Sequence, residues 1–409
     1  MSKKKELVEV FLVPGFLGFE NLGGLDYFID VEEVVQKNLG ASGVTVKVYP
    51  TETEPAGSLQ QRAAKLADQV AEHHSTDAKS VHFVGHSTGG LDIRLLLSPG
   101  NAVEQERERR AAAGEEGARK VLDALQKTHS ATSVATPHYG SPIASVALRL
   151  DVDLILRAVS EVLELAPTSY LLAKGLQVAG VVSGLISGLP RDESFINWIL
   201  GRVFSQPPES LVKYLQRVAA DAGALRNLTQ EGTNLANALL IDRPDVRYGS
   251  IITGTQQPGG AIKTPDPFLI FNTLLFRAAW RIVAAENPNF PYAGRNAELT
   301  KCHDDDVSAG LDVGELQIDD DTNDGVVPTA SQPHGTILGA FASDHLDCVG
   351  HYPHTQADGI EVTGWVRSGA GFNSDRFALM WARISDFIAA RKQPPARTTS
   401  AGKSGHVNP

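Results

Sequence analysis

The stretch that most constrains the fold is VHFVGHSTGGLDIR, residues 81–94. An apolar run reaches a glycine, a serine stands at the tip, two more glycines follow, and a helix-like segment begins. A strand that turns this tightly into a helix is one half of a strand–helix–strand unit. In that context Gly-x-Ser-x-Gly is the elbow that lifts a serine above a sheet, where a helix N-terminus favours developing negative charge. Glycine and serine are also ordinary turn residues, so the remainder of the chain has to decide between a nucleophile and a turn.

The flanking sequence alternates strand and helix signals. VEVFLVPG is an apolar run ending in a turn, and residues 25–39 carry Phe28, Val31, Val34 and Val35 at helical spacing. VTVKVYP is β-branched and stopped by proline, and residues 58–74 place Leu59, Ala63, Leu66 and Val70 on one helix face. HSATSVAT, 129–136, reads as the strand after the elbow helix. Such alternation implies a parallel sheet with right-handed crossovers. Residues 101–125, rich in EQERERR and EEGARK, read as an exposed helical insertion with a solvated face.

With 409 residues, 42% of them hydrophobic, the chain can bury a large core. Its net charge of −11 opposes nucleic acid and anionic membrane, so neither is expected as a partner. Two cysteines, Cys302 and Cys348, make no disulfide scaffold and no CxxC motif, and two free thiols are the expected state. The start MSKKKELVEVFLV lacks the apolar region of a signal peptide, which gives a cytoplasmic expectation. The uncharged run from Gly175 to Pro190 is shorter than the ~20 residues a spanning helix needs.

From 141 to 240 the pattern changes to successive helical segments, several very apolar: VDLILRAVSEVL, LQVAGVVSGLI and FINWILGRVF. VRYGSIITG, 246–254, then reads as a returning sheet strand, and PFLIFNTLLFRAAWRIVAA as another apolar helix. Residues 304–324 are acidic and loop-like, DRFALMWARISDFIAARK is an amphipathic C-terminal helix, and the tail 393–409 has no core residues and reads as disordered. The expected organisation is a core in two parts, 1–140 and 241–392, the second with an apolar helical and acidic loop insertion. A helical cap, 141–240, interrupts them.

A nucleophilic serine needs a base, and the base an orienting acid, which in this kind of fold follow in the order Ser, Asp or Glu, His. NDGVV at 323–327 and SDHLD at 343–347 supply Asp324 and His345, while His334, His351 and His354 compete for the base. An oxyanion needs backbone donors. The amide of Thr88 follows the serine, and FLVPGFLG, 11–18, offers the amide of Phe16, although Pro-Gly there also reads as a plain turn.

Taken together these segments resemble the bacterial triacylglycerol lipases of the α/β-hydrolase superfamily. LVPGFLG resembles their oxyanion loop, with Pro14 in place of the usual histidine; GHSTGGLDIR resembles their elbow; SVATPHYGSPIA resembles their TPHRGS segment. LTQEGTNLANALL, NDGVVP and DHLDCVG complete the order between residue 7 and about 390. The resemblance implies an α/β-hydrolase fold, a Ser87–Asp324–His345 triad, and an oxyanion hole from Phe16 and Thr88. It places His138 in a structural loop beside the site. It further implies a calcium ion held partly by Asp347, but His351 stands where the family has a liganding glutamine, and a histidine suits a hard cation poorly. The run Asp304–Asp305–Asp306 is the other acidic candidate, read first as a solvated loop. The disulfide of some family members has no counterpart.

The function so implied is hydrolysis of acyl esters of medium or long chain, with no organic cofactor. A thioesterase, a polyester depolymerase or an acyltransferase would use the same residues, and a non-catalytic lipid-binding module is the reading from another class. The expected partners are the ester substrate and a transient lipid interface. Secretion is common in the family, against the cytoplasmic reading of the N-terminus.

Overall fold

The computed structural model describes residues 5–16, 26–41, 43–149, 223–259, 267–286, 295–364 and 368–390. Strands β1 (Leu7–Val13), β2 (Thr45–Pro50), β3 (Ser80–His86), β4 (Thr128–Val134), β5 (Arg247–Gly254) and β6 (Thr336–Ala342) form one sheet. The order is β2-β1-β3-β4-β5-β6 and every pairing is parallel. The crossovers include α1 (Val31–Gly40), α2 (Leu59–His73), α3 (Thr88–Leu97), α4 (Ala102–Ala112) and α5 (Glu116–Gln126), and α11 (Ser374–Ala389) closes the chain.

Alternate residues of a strand face opposite sides, and β1 shows the consequence. Val10 and Leu12 pack with Val35, Leu39, Trp381 and Ile384 in one layer. Phe11 and Val13 pack with Leu66, Val70, Leu97, Val121 and Leu125 in the other. Helices on both faces explain why β1, LVEVFLV, reads as a nearly continuous apolar run rather than an alternating one. The stripe expected on α2 is buried at Leu59, Ala63, Leu66 and Val70, and Ser58 caps that helix in a capping box with Gln61.

Three expectations are corrected. The helix expected over 25–39 begins at Val31, because Asp30 adopts a left-handed conformation (φ 60°) and Ile29 instead bonds its amide to the Val349 carbonyl. The charged stretch 101–125 is two helices, and only α4 is largely solvated. In α5 Val121, Ala124 and Leu125 are buried, so this helix is the crossover onto β4 and part of the core. The run Asp304–Asp306 lies on a helix, α10 (Asn296–Ser308), rather than a loop. There Lys301 pairs with Asp305, and Asp306 pairs with Arg383 at 2.6 Å.

The cap sequence is described only at its ends, α6 (Pro142–Arg149), α7 (Gly223–Leu228) and α8 (Gln230–Leu239). Ala144, Leu225 and Leu228 pack together with Leu91 of the elbow helix, and the Ser141 amide bonds the Leu228 carbonyl at 2.9 Å. The two described ends, α6 and α7, therefore lie side by side against the elbow helix. The three apolar segments named above, the glycines among them, and the tail after 390 lie outside the described residues. Among the described residues no helix is long and apolar enough to cross a membrane. Cys302 and Cys348 are free thiols.

Candidate active site

The loops after β1, β3, β5 and β6 meet at the carboxyl edge of the sheet, where open parallel sheets place their ligands. Ser87 follows the last residue of β3 and caps α3 with φ 53° and ψ −129°, a region a non-glycine residue enters only under constraint. Packing supplies the constraint. A β-carbon on Gly89 would strike the main chain at Val13 and Pro14, and one on Gly90 would strike the Thr136 side chain. The glycines of GHSTGG thus let the elbow press against the loop after β1.

His345 Nε2 lies 2.9 Å from Ser87 Oγ, and its Nδ1 lies 2.8 Å from Asp324 Oδ2. Asp324 is fully buried yet completely hydrogen-bonded. Its Oδ1 accepts from the amides of Val326 (3.0 Å) and Val327 (2.7 Å), and its Oδ2 accepts also from Thr253 Oγ1 (2.8 Å). Buried carboxylates satisfied in this way stay fixed as acceptors. The His345 amide bonds the Asp324 carbonyl, so main chain and side chain join the acid and base loops twice. Helix α9 (Pro267–Glu286) supports the acid loop: Asn323 Nδ2 donates to the Trp280 carbonyl, and Gly325 (φ 94°) lies against Phe276.

The competing histidines are engaged elsewhere. His334 pairs with Asp242 at 3.1 Å, His354 with Asp30 at 2.9 Å, and His351 donates to the Tyr27 carbonyl at 3.0 Å. His138 is buried between Ser133 Oγ (3.0 Å) and Arg94 Nη1 (3.3 Å). Burial, Arg94 and His334 all push its pKa well below the usual imidazole range, so it sits as a neutral structural group.

Gly15 lies directly beneath Ser87, and a β-carbon there would come 3.1 Å from Ser87 Oγ. Phe16 follows it, half-buried and packed onto the core. Thr88 opens α3, so its amide belongs to the first helical turn, whose donors have no intrahelical acceptor. Arg62, wholly buried, holds this loop in place. Its guanidinium donates to the carbonyls of Pro14 (3.0 Å), Gly15 (2.9 Å) and Glu54 (2.7 Å), and it pairs with Asp92 of α3 at 2.7 Å. Sequence reasoning missed this residue. The signal was an arginine beside the apolar stripe of α2.

The surroundings of Asp347 do not fit the implied calcium site. Asp347 Oδ2 faces the Asp344 amide at 3.2 Å, and Asp344 Oδ1 accepts the amides of Leu346 and Asp347, each at 3.0 Å. The ring of His351, at the family's oxygen-ligand position, is turned to the Tyr27 carbonyl. Among the described residues no three His, Cys, Asp or Glu side chains are grouped to hold a metal.

A parallel sheet of this order, a serine on a strained strand-to-helix elbow and an acid–histidine pair on later loops define the α/β-hydrolase fold. No family model matches the chain. Over 90 residues, 22% of its length, the chain is 34% identical to a triacylglycerol lipase of Vibrio cholerae serotype O1, and the match spans about a quarter, 27%, of that lipase. Lipase 1 from Pelosinus fermentans superposes with a TM-score of 0.51 at 19% identity, covering 95% of this chain and 100% of that one. The lipase of Staphylococcus hyicus gives 0.45 at 18% identity, over 95% and 96% of the two chains.

Proposed function

We propose that this protein is a serine carboxylic-ester hydrolase, a lipase or esterase, acting through an acyl-enzyme on Ser87. The observation that carries the reading is the continuous hydrogen-bonded line Ser87 Oγ–His345 Nε2 and His345 Nδ1–Asp324 Oδ2, 2.9 and 2.8 Å, at the tip of the elbow. His345 takes the hydroxyl proton as Ser87 Oγ attacks the ester carbonyl. Asp324 holds the imidazole in the tautomer with Nδ1–H and stabilises the imidazolium. The amides of Phe16 and Thr88 receive the oxyanion. The proton passes from His345 to the departing alkoxide, and a water activated by the same histidine then frees the acid. No step needs an organic cofactor or a metal.

The acyl chain preferred is medium or long. Support comes from the apolar sequence of 141–240 and from the triacylglycerol lipase name of the Vibrio relative. Each further buried methylene adds about 0.8 kcal/mol until the pocket is full.

The test combines covalent labelling with a substrate series. A fluorophosphonate probe should label wild type and not Ser87→Ala, and 4-nitrophenyl octanoate should exceed the acetate in kcat/KM. Absence of labelling would remove the serine-hydrolase reading. Labelling with a steady preference for acetate would leave a small-ester esterase.

A further inference from the structure

We propose that Tyr27 is a positioning residue for this reaction, joining the oxyanion loop to the catalytic histidine through His86; the inference rests on the ester-hydrolase reading above. The Gly15 amide donates to Tyr27 Oη at 2.8 Å, Tyr27 Oη lies 2.7 Å from His86 Nδ1, and His86 Nε2 lies 2.8 Å from the His345 carbonyl oxygen.

The direction of this chain is fixed by elementary bonding. A carbonyl only accepts, so His86 Nε2 carries the proton. A neutral imidazole carries one proton, so Nδ1 is the acceptor and the Tyr27 hydroxyl must donate to it. The phenol oxygen is then left to accept from Gly15. Each donor has one acceptor, from the residue under Ser87 to the backbone of the residue that deprotonates it.

The environment keeps those protons in place. Burial and the neighbouring His345 hold the His86 pKa well below the usual range, so the ring stays neutral, and burial pushes the Tyr27 phenol up. Neutrality matters, because the His86 and His345 ring centroids are 4.7 Å apart. A charged His86 would oppose the imidazolium that forms on His345 during attack.

Tyr27 is also tied to the histidine loop by main-chain bonds that its hydroxyl does not make: His351 Nε2 to the Tyr27 carbonyl (3.0 Å) and the Ile29 amide to the Val349 carbonyl (2.9 Å). The ring packs edge-on against Phe28. Removing only the hydroxyl therefore leaves the segment anchored while cutting the link at its centre. The link is the kind that holds reacting groups within a fraction of an ångström, and a misplacement of ~1 Å costs on the order of 100-fold.

The experiment measures kcat and KM for a soluble 4-nitrophenyl ester in wild type, Tyr27→Phe, His86→Asn and the double variant, with melting temperatures for each. The shorter amide side chain in His86→Asn would keep an oxygen where Nδ1 stood, as acceptor for Tyr27, but would lose the reach to the His345 carbonyl. The two variants thus cut one chain at two points. Each should lower kcat by threefold or more with KM within twofold, and the double should be no slower than the slower single. A merely structural role would multiply the losses or move them with melting temperature. A fall below threefold in Tyr27→Phe, or multiplied losses, overturns the inference while the ester-hydrolase reading stands. If Tyr27→Phe does not fold, the kcat of His86→Asn decides by the same threshold. A wild type that neither labels nor hydrolyses overturns both.

Discussion

A β-carbon on Gly15 would stand 2.6 Å from the β-carbon of Ser87 and 2.7 Å from the Tyr27 hydroxyl. Neither neighbour can give way freely, because one is the serine on a strained elbow and the other is a buried phenol. Gly15→Ala should therefore fold with a lowered melting temperature and lose on the order of 100-fold in kcat by displacing the oxyanion loop. The second-order rate of fluorophosphonate labelling reads the same effect. An alanine variant within threefold of wild type would mean that the loop does not bear on the nucleophile.

Asp324→Asn should cost up to ~10⁴ in rate, as in other triads whose acid is amidated. The orientation of the new amide is dictated by the loop. The amides of Val326 and Val327 require an acceptor at the Oδ1 position. The NH2 group then falls at the Oδ2 position and donates to His345 Nδ1, which forces the proton onto Nε2, facing Ser87. Asp321→Asn, on an exposed residue nearby, should leave kcat unchanged. A crippled Asp321→Asn beside a nearly silent Asp324→Asn would reverse the assignment of the acid.

The elbow was legible because its glycines are demanded by local packing, and local demands leave a local pattern. The parallel sheet was legible in the alternation of strand and helix patterns, since a crossover helix must follow each strand that pairs in parallel. The acid was harder. Asp324 and Asp321 share one acidic stretch, and only the fold buries the first while leaving the second in solvent. The order Ser, Asp, His and the family resemblance chose between them, and composition could not. Arg62, Tyr27 and His86 went unread because their partners are far away in the chain. Arg62 reaches back to Pro14 and Gly15, and Tyr27 reaches forward to His86. The crossover role of α5 was hidden by its charged outer face, while the buried face of Val121, Ala124 and Leu125 is short.

Arg62→Met should be strongly destabilising, by about 3–5 kcal/mol, because it leaves the Asp92 carboxylate buried without its partner. Burial already pushes the Asp92 pKa up to about 6, with Arg62 opposing. Arg62→Met with Asp92→Leu should recover much of that loss, since the unpaired charge is gone. Activity should not recover, because the carbonyls of Pro14 and Gly15 still lack their donor. Thermal melts and kcat on one set of samples separate the two effects. A double variant with wild-type kcat would show that Arg62 serves stability alone.

Chelation bears on the implied calcium site. A ligand bound only to the native state raises the melting temperature by mass action, so its removal lowers it. With His351 turned to the Tyr27 carbonyl instead of presenting an oxygen, EDTA should shift the melting temperature little. A drop of many degrees, reversed by added calcium, would overturn this.

A buried histidine far from Ser87 makes the stability of the fold depend on pH. His74 Nδ1 is 2.7 Å from Glu9 Oε2 and its Nε2 is 2.8 Å from Asp123 Oδ2, with no side-chain exposure of the imidazole or of Glu9. It ties β1 and the end of α2 to α5. A neutral imidazole offers one N–H to two carboxylates, whereas the cation serves both. Burial disfavours the cation, but the hydrogen bonds and charges of Glu9 and Asp123 outweigh it and raise the pKa of His74 above the ordinary value of 6.5. Two other titratable groups bear on the site. Tyr49 is pushed up to about 12 by burial and Glu9, and Lys127 shares Asp123 at 2.7 Å. At about 12, Tyr49 keeps its proton through neutral pH. A group whose folded pKa is raised contributes stability that is complete below its unfolded pKa and is lost as pH rises through the folded value. The difference in melting temperature between wild type and His74→Gln should therefore be largest near pH 6 and should shrink toward pH 9. Melts at half-unit pH steps across that range test this, and a difference that stays flat or grows with pH would show that the buried histidine is not held as a cation.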